Sequence, residues 1–169
     1  YWVAEGGYSA LMSNSNRNDR IVDDIIRAVD DGRSPLVLTE RREHLELLYG
    51  LLLDKIQHVF ALKGGMGKKQ RKVVLEDMNA VKDNEERVLI ATGKYLGEGF
   101  DDARLDTLFL TLPISWRGTL SQYAGRLHRL YFGKNEVIIY DYTDLKIPML
   151  ARMFEKRRKG YKSLGYEFR

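Results

Sequence analysis

Gln122, Arg126 and Arg129 stand at i, i+4 and i+7 of a segment whose other positions include Leu120, Tyr123, Ala124, Leu127 and Leu130. On a helix this spacing gathers the amide and both guanidiniums on one face, opposite an apolar stripe, with Gly125 leaving room beside them. Arginine presents a planar fork to phosphate oxygens, and a pair on a rigid element suits the charge that develops on a transferring γ-phosphate. The bland alternative is a solvated helix face. A second candidate runs from Ala91 to Asp101. There Gly93, Gly97 and Gly99 let backbone approach a ligand, Thr92 brings a hydroxyl, and Glu98 and Asp101 bring acceptors. A glycine-rich stretch of this kind also serves as a plain tight connection.

Two further stretches imitate an ATP site and fail. Gly64-Gly65-Met66-Gly67-Lys68-Lys69 approaches the phosphate cradle Gly-x-x-x-x-Gly-Lys-Ser/Thr, but Leu62 occupies the leading glycine position and Lys69 replaces the Mg²⁺-binding hydroxyl. Val137-Ile138-Ile139-Tyr140-Asp141 approaches an acidic strand end, but Tyr142 follows where a second acid belongs. ATP hydrolysis requires both parts. His128 has no second His or Cys at ligand spacing, so no metal site is expected.

The elements that must carry these residues alternate along the chain. Ile21, Val22, Ile25, Ile26 and Val29 recur at helical spacing, with Asn18 as expected N-cap and Gly32 as stop. A strand 36–39 follows Pro35. Then come a helix carrying Leu45, Leu48 and Leu52, a strand 58–62, a helix over about 68–81 and an apolar strand 87–92. Strands 107–112 and 137–142 flank a helix expected over 119–130, and a last helix covers 148–159. Continuous apolar strands suit a sheet buried on both faces, so the expected fold is a three-layer α/β/α domain with a mainly parallel sheet. Ligands of such sheets bind beyond the C-terminal strand ends, after Thr39, Leu62, Thr92, Leu112 and Tyr142.

Composition agrees with one packed domain. The chain has 169 residues, 44% hydrophobic and 31% charged, with 3 prolines, enough for a full core. No run reaches the roughly 18 apolar residues of a membrane span, so no membrane partner is expected. The absence of cysteine excludes a disulfide scaffold and is compatible with a reducing compartment; a cytoplasmic location is the expectation. The start at Tyr1, with no basic-then-apolar leader, suggests a piece of a longer protein. Net charge is +4, yet residues 152–169 hold seven cations against Glu155 and Glu167, and a second cluster comprises Lys63, Lys68, Lys69, Arg71 and Lys72. Such patches suit a polyanion or, equally, a solvated surface.

These stretches together resemble the C-terminal RecA-like domain of superfamily 2 helicases and translocases. Ile90 to Gly93 with Glu98-Gly99-Phe100-Asp101 looks like that family's motif V, and Gln122-Tyr123-Ala124-Gly125-Arg126-Leu127-His128-Arg129 like its motif VI, Gln-x-x-Gly-Arg-x-x-Arg. Leu36 to Arg41 is similar to motif IV, and Leu62-Lys63-Gly64-Gly65 with Arg71 sits where the family has a nucleic-acid loop. The wording Glu98 to Asp101 and the basic tail look closest to restriction-type and repair-type DNA helicases. The resemblance implies one domain over 1–169, with a core of about 19–145 and a helical basic tail over 146–169. Catalytic roles fall to Arg126 and Arg129, as arginine fingers, and to Gln122. Gly97, Glu98, Gly99 and Asp101 would approach ATP, and Thr39, Arg41, Lys63, Gly64, Thr92 and Gly93 a nucleic-acid strand, DNA rather than RNA. ATP and Mg²⁺ would be held mainly by an N-terminal RecA-like domain absent from this chain. Two competitors are a self-contained nucleotide enzyme, which lacks its Walker lysine motif, and a non-catalytic nucleic-acid-binding module of the same fold.

Overall fold

A computed structural model of the chain describes residues 10–92, 101–114 and 119–169. Among the described residues the elements include, in order, α1 (Ser15–Asp30), β1 (Pro35–Thr39), α2 (Arg42–Leu52), β2 (Val59–Leu62), α3 (Lys68–Ala80), β3 (Val88–Thr92), β4 (Thr107–Leu110), α4 (Thr119–Arg126), β5 (Ile138–Asp141) and α5 (Pro148–Ser163). The strands form one sheet in the order β2-β3-β1-β4-β5, and every pairing is parallel. The central strands β1, β3 and β4 are buried along their whole length, as continuous Val/Leu/Ile runs demand when helices cover both faces.

Alternation along each strand sorts the apolar side chains into two cores. On one face Val37, Val88, Ile90 and Phe109 pack against Ile21, Ile25 and Val29 of α1 and Leu45, Leu48 and Leu52 of α2. On the other, Leu36, Leu38, Leu89, Leu108 and Leu110 pack against Met78 of α3, Leu120 and Tyr123 of α4, and Tyr161 of α5. The three-layer α/β/α architecture is thus the one the apolar pattern requires.

Element ends differ from the sequence expectation where a polar side chain found a better use. The N-cap of α1 is Asn14, whose side chain accepts from the Arg17 backbone N–H at 3.0 Å. Asn18 lies one turn inside and is buried. Gly32 ends the helix as expected: at φ +81° it adopts the left-handed conformation that closes a helix C-terminus. The last helix begins with Pro148 at its first positions, where a missing N–H costs nothing. It extends past Lys159 to Ser163, ending before Gly165 at φ +90°. The expected helix over 119–130 stops at Arg126.

Arg157, one of the seven tail cations, is fully buried. Its guanidinium grips both carboxylate oxygens of Asp141 at the end of β5 (2.8 and 3.0 Å) and donates to the Ile114 carbonyl at 2.9 Å. Tyr161 completes the cluster with a 2.8 Å hydrogen bond to Asp141. The tail helix is therefore riveted to the sheet. No helix among the described residues is long and apolar enough to cross a membrane.

Candidate functional site

β1 and β3 end side by side, with Thr39 opposite Thr92. Alternation aims both side chains toward the α1/α2 layer, because Val37 and Ile90 belong to that core. Thr39 is buried, and its hydroxyl lies 2.9 Å from Nδ1 of His44. The other imidazole nitrogen, Nε2, is 2.9 Å from Asn18 Oδ1, while the Asn18 amide nitrogen donates to the Met12 carbonyl at 2.8 Å. That last bond orients the amide, so Asn18 Oδ1 accepts, His44 carries its proton on Nε2, and Nδ1 accepts from Thr39. Burial, aided by the charge of Arg17, pushes His44 down to about 4 and keeps it neutral. The Thr39 oxygen also receives the Arg41 N–H at 3.5 Å. Thr39 thus anchors the entrance to α2, and exposed Arg41 sits at the surface above it.

Thr92 differs. Its hydroxyl is buried without a hydrogen-bond partner among the described residues, and so are both terminal nitrogens of Arg17, whose guanidinium carbon lies 5.9 Å from the centre of the Tyr142 ring. Buried polar atoms in native proteins are nearly always satisfied, so a ligand is a physical reason for leaving them open. Sequence reasoning missed Arg17 and His44. Arg17 stands in a polar stretch with no periodic signal, and the partners that give His44 its role, Thr39 and Asn18, lie on other elements.

At the end of β2, Lys63 donates to Glu46 at 2.6 Å, and Arg42 approaches the same oxygen at 3.9 Å. The hydrogen bond from Lys63, with Arg42 nearby, lowers the Glu46 pKa. Gly64 follows, half-buried, and Gly65 turns the chain at φ +87° into Gly67, the N-cap of α3. The first turn of α3 has no acidic residue, and Lys68 and Lys69 are exposed there. This end of the sheet therefore combines a helix N-terminus with free ammonium groups, an arrangement that favours anions.

The arginine segment lies elsewhere. Leu127 and His128 continue the backbone bonding of α4 (to Tyr123 and Gly125, both 3.2 Å), after which the helix ends. Arg129 is therefore presented from the chain beyond the helix and not from its face, a correction to the i, i+7 reading. Its guanidinium pairs with Asp101 at 3.1 Å, the two side chains being 60% and 47% exposed. Asp102 next to it is tied at 2.6 Å to buried Arg87, the residue before β3, and Tyr131 donates to Asp83 in the connection that leads into β3. Asp101 and Arg129 thus sit near the N-terminal ends of the strands, because α4 runs back along the sheet. The pair lies on a different surface from Thr39 and Thr92, which end their strands.

Gln122 is exposed on α4, and a Cβ added to Gly125 would meet nothing within 4 Å. The room at Gly125 thus opens outward, away from this chain's own atoms. His128 is exposed and meets the Tyr166 ring edge-on at 5.3 Å. Gly93, Gly97, Glu98 and Gly99, and the side chain of Arg126, lie outside the described residues. Among the described residues no group of three or more His, Asp or Glu could hold a metal, and the Asp141 carboxylate is taken by Arg157 and Tyr161.

Comparison with known proteins gives a consistent result. The family model described as the helicase conserved C-terminal domain matches residues 17–131. The transcript termination protein A18 of fowlpox virus is 29% identical over 122 residues, which cover 71% of this chain and 26% of that protein. Its cowpox virus counterpart is 30% identical over 123 residues, 70% of this chain and 24% of that protein. The chain thus spans about a quarter of the length of these relatives. In three dimensions it is similar to the crystal structure of T4 UvsW, with a TM-score of 0.70 at 14% identity, over 94% of this chain and 35% of that one.

Proposed function

The chain belongs to the helicase conserved C-terminal domain family, the RecA-like unit of superfamily 2 helicases, and we propose that it is the second half of an ATP-driven motor that tracks along nucleic acid. In this proposal the chain is one domain, its basic tail helix included, and Arg129, with Arg126 and Gln122, faces ATP held by an N-terminal RecA-like domain of the same protein. The observation that carries the reading is the Arg129–Asp101 pair. Segments 28 residues apart in sequence meet at 3.1 Å on an exposed surface, where a guanidinium is held ready but not consumed by the core. Two neighbours support a covered surface there: Leu130 and Phe132 are 96% and 98% exposed, an arrangement that a second domain would relieve.

The half-site is incomplete by itself. The turn from β2 to α3 lacks a leading glycine and a Mg²⁺-binding hydroxyl, and Asp141 is engaged by Arg157. Mg²⁺ therefore does not fit the described residues of this chain. The part left to Arg129 is electrostatic: a preorganised guanidinium that meets negative charge developing on the γ-phosphate stabilises the transition state more than the ground state. Asp101, now its partner, with Gly97, Glu98 and Gly99, would line the same cleft.

The opposite surface would carry the nucleic acid, DNA in our proposal. Arg17 and Thr92 would form the floor of the path, with buried donors that have no partner among the described residues, while Arg41, Lys68 and Lys69 add charge at the surface and Lys63, Gly64 and Gly93 flank the path. Thr39 would act by holding the Arg41 loop. Closing of the two domains on ATP and opening after hydrolysis would move that surface along the strand.

The test is DNA-stimulated ATP turnover by the full-length protein and by a version truncated before this domain. Loss of turnover on truncation, with ATP binding retained, is the expected result. Undiminished turnover would leave this chain as a binding module without a catalytic part.

A further inference from the structure

Past the last turn of α4 the backbone has no helical ladder to hold it, so something else must fix the direction in which Arg129 projects. Two tethers do this. Tyr131 donates to Asp83, and the ammonium of Lys134 donates to the carbonyl of Arg129 itself at 2.8 Å and to the carbonyl of Ala103 at 3.1 Å. Lys134 returns to Arg129 because Gly133, at φ +78°, folds the chain back and the Lys134 N–H closes a turn on the Tyr131 carbonyl at 3.1 Å. Ala103 lies two residues beyond Asp101, so the single ammonium joins the segments that carry the two members of the exposed ion pair.

We propose that Lys134 is a positioning residue for Arg129: by bridging the Arg129 and Ala103 carbonyls it sets the backbone from which the guanidinium reaches the nucleotide and keeps Asp101 in register with it. The proposal rests on the reading of Arg129 as an arginine finger. The guanidinium sits at the end of a long flexible side chain, so a modest turn of the Arg129 backbone moves it by a large amount. A misplacement of about 1 Å is enough to cost on the order of 10²-fold in rate.

The experiment is steady-state ATP turnover by the full-length protein with saturating nucleic acid, for Lys134→Met, Lys134→Arg, Arg129→Ala and the double variant Arg129→Ala/Lys134→Met, together with thermal unfolding of each. Lys134→Met is expected to lower kcat by about 10- to 100-fold, with KM for ATP and the melting temperature little changed. Lys134→Arg, which still supplies donors for two carbonyls, should recover much of the loss. In the Arg129→Ala background Lys134→Met should have no further effect, because a residue that acts through another is silent once that one is gone. Lys134 is overturned as a positioning residue if Lys134→Met keeps full kcat while Arg129→Ala loses it, or if it lowers kcat by the same factor in the Arg129→Ala background. If Lys134→Met does not fold, Lys134→Arg decides: a folded variant as slow as Arg129→Ala refutes bridging by a second donor. Near-normal turnover by Arg129→Ala would instead overturn the finger reading on which the proposal stands.

Discussion

Replacing Arg157 by Met removes the guanidinium from a place where nothing can substitute for it. Arg157 is fully buried; it makes two hydrogen bonds to Asp141 and one to Ile114, and its guanidinium carbon lies 5.7 Å from the centre of the Phe154 ring. The Asp141 side chain is 9% exposed, so without Arg157 its carboxylate keeps only the Tyr161 hydroxyl and remains almost dry. Breaking a buried pair by removing one partner costs about 3–5 kcal/mol. In a domain of this size, at about 2–4 °C per kcal/mol, the melting temperature should fall by roughly 10 °C. Thermal and urea unfolding of the 169-residue chain at pH 7, followed by circular dichroism, reads both quantities. Arg158, the next residue, is the control: its partner is Glu155, one helical turn away on the surface, and Arg158→Met should leave the transition where it was. The double variant Arg157→Met/Asp141→Leu should recover most of the loss, because it removes the stranded charge as well. An Arg157→Met transition that coincides with that of Arg158→Met would refute the claim that this cation is structural. So would an Asp141→Asn variant that abolishes ATP turnover with an unaltered melt, since that would make Asp141 a reacting acid.

Three further outcomes follow from the structure. His44 is held near 4 when folded against an ordinary value of 6.5, so the unfolded chain binds the extra proton between those values; stability is full above about pH 6.5 and declines by about 3 kcal/mol as pH falls to 4. In urea unfolding across this range His44→Gln should show a flatter pH dependence, and a dependence as steep as that of the unaltered chain would contradict the buried neutral imidazole. Nucleic-acid binding by the chain should weaken with salt, each phosphate contact adding roughly 0.7 to 0.9 to the log-log slope; Lys68→Ala/Lys69→Ala should flatten that slope, and an unchanged slope would remove the α3 terminus from the track. The purified 169-residue chain should hydrolyse no ATP in a sensitive phosphate-release assay, because it lacks a phosphate cradle, and genuine turnover would sink the half-site reading.

The layered fold was legible because its information is local. Runs such as Val88 to Thr92 can hardly lie anywhere except in a two-sided sheet, and Ile21, Ile25 and Val29 specify a helix face by spacing alone. Strand ends were placed within one or two residues. The polar residues were harder, since their roles depend on partners distant in sequence. Arg157 and Arg158 are equivalent in a charge count, yet one is fully buried and the other half-exposed. Asn18 resembled a cap, but its amide pairs with His44, 26 residues away. The motif spacing Gln122-x-x-Gly125-Arg126-x-x-Arg129 carried the family resemblance, while the helical geometry assumed for it ended at Arg126. Lys134 takes over beyond that point, and no periodic signal marked it because its partners are two backbone carbonyls.

The central claim is that Arg129 completes an ATP site built mostly by another domain. Nucleic-acid-stimulated ATP turnover by Arg129→Ala in the full-length protein, divided by the folded fraction from its thermal transition, tests it most directly. Turnover should fall by on the order of 10³-fold or more, with the melting temperature and nucleic-acid affinity unchanged, as expected for a side chain 60% exposed and outside both cores. Arg129→Lys should restore little, since one ammonium does not reproduce the planar fork. Near-normal turnover per folded Arg129→Ala molecule would contradict the account and leave the chain as a nucleic-acid-binding module.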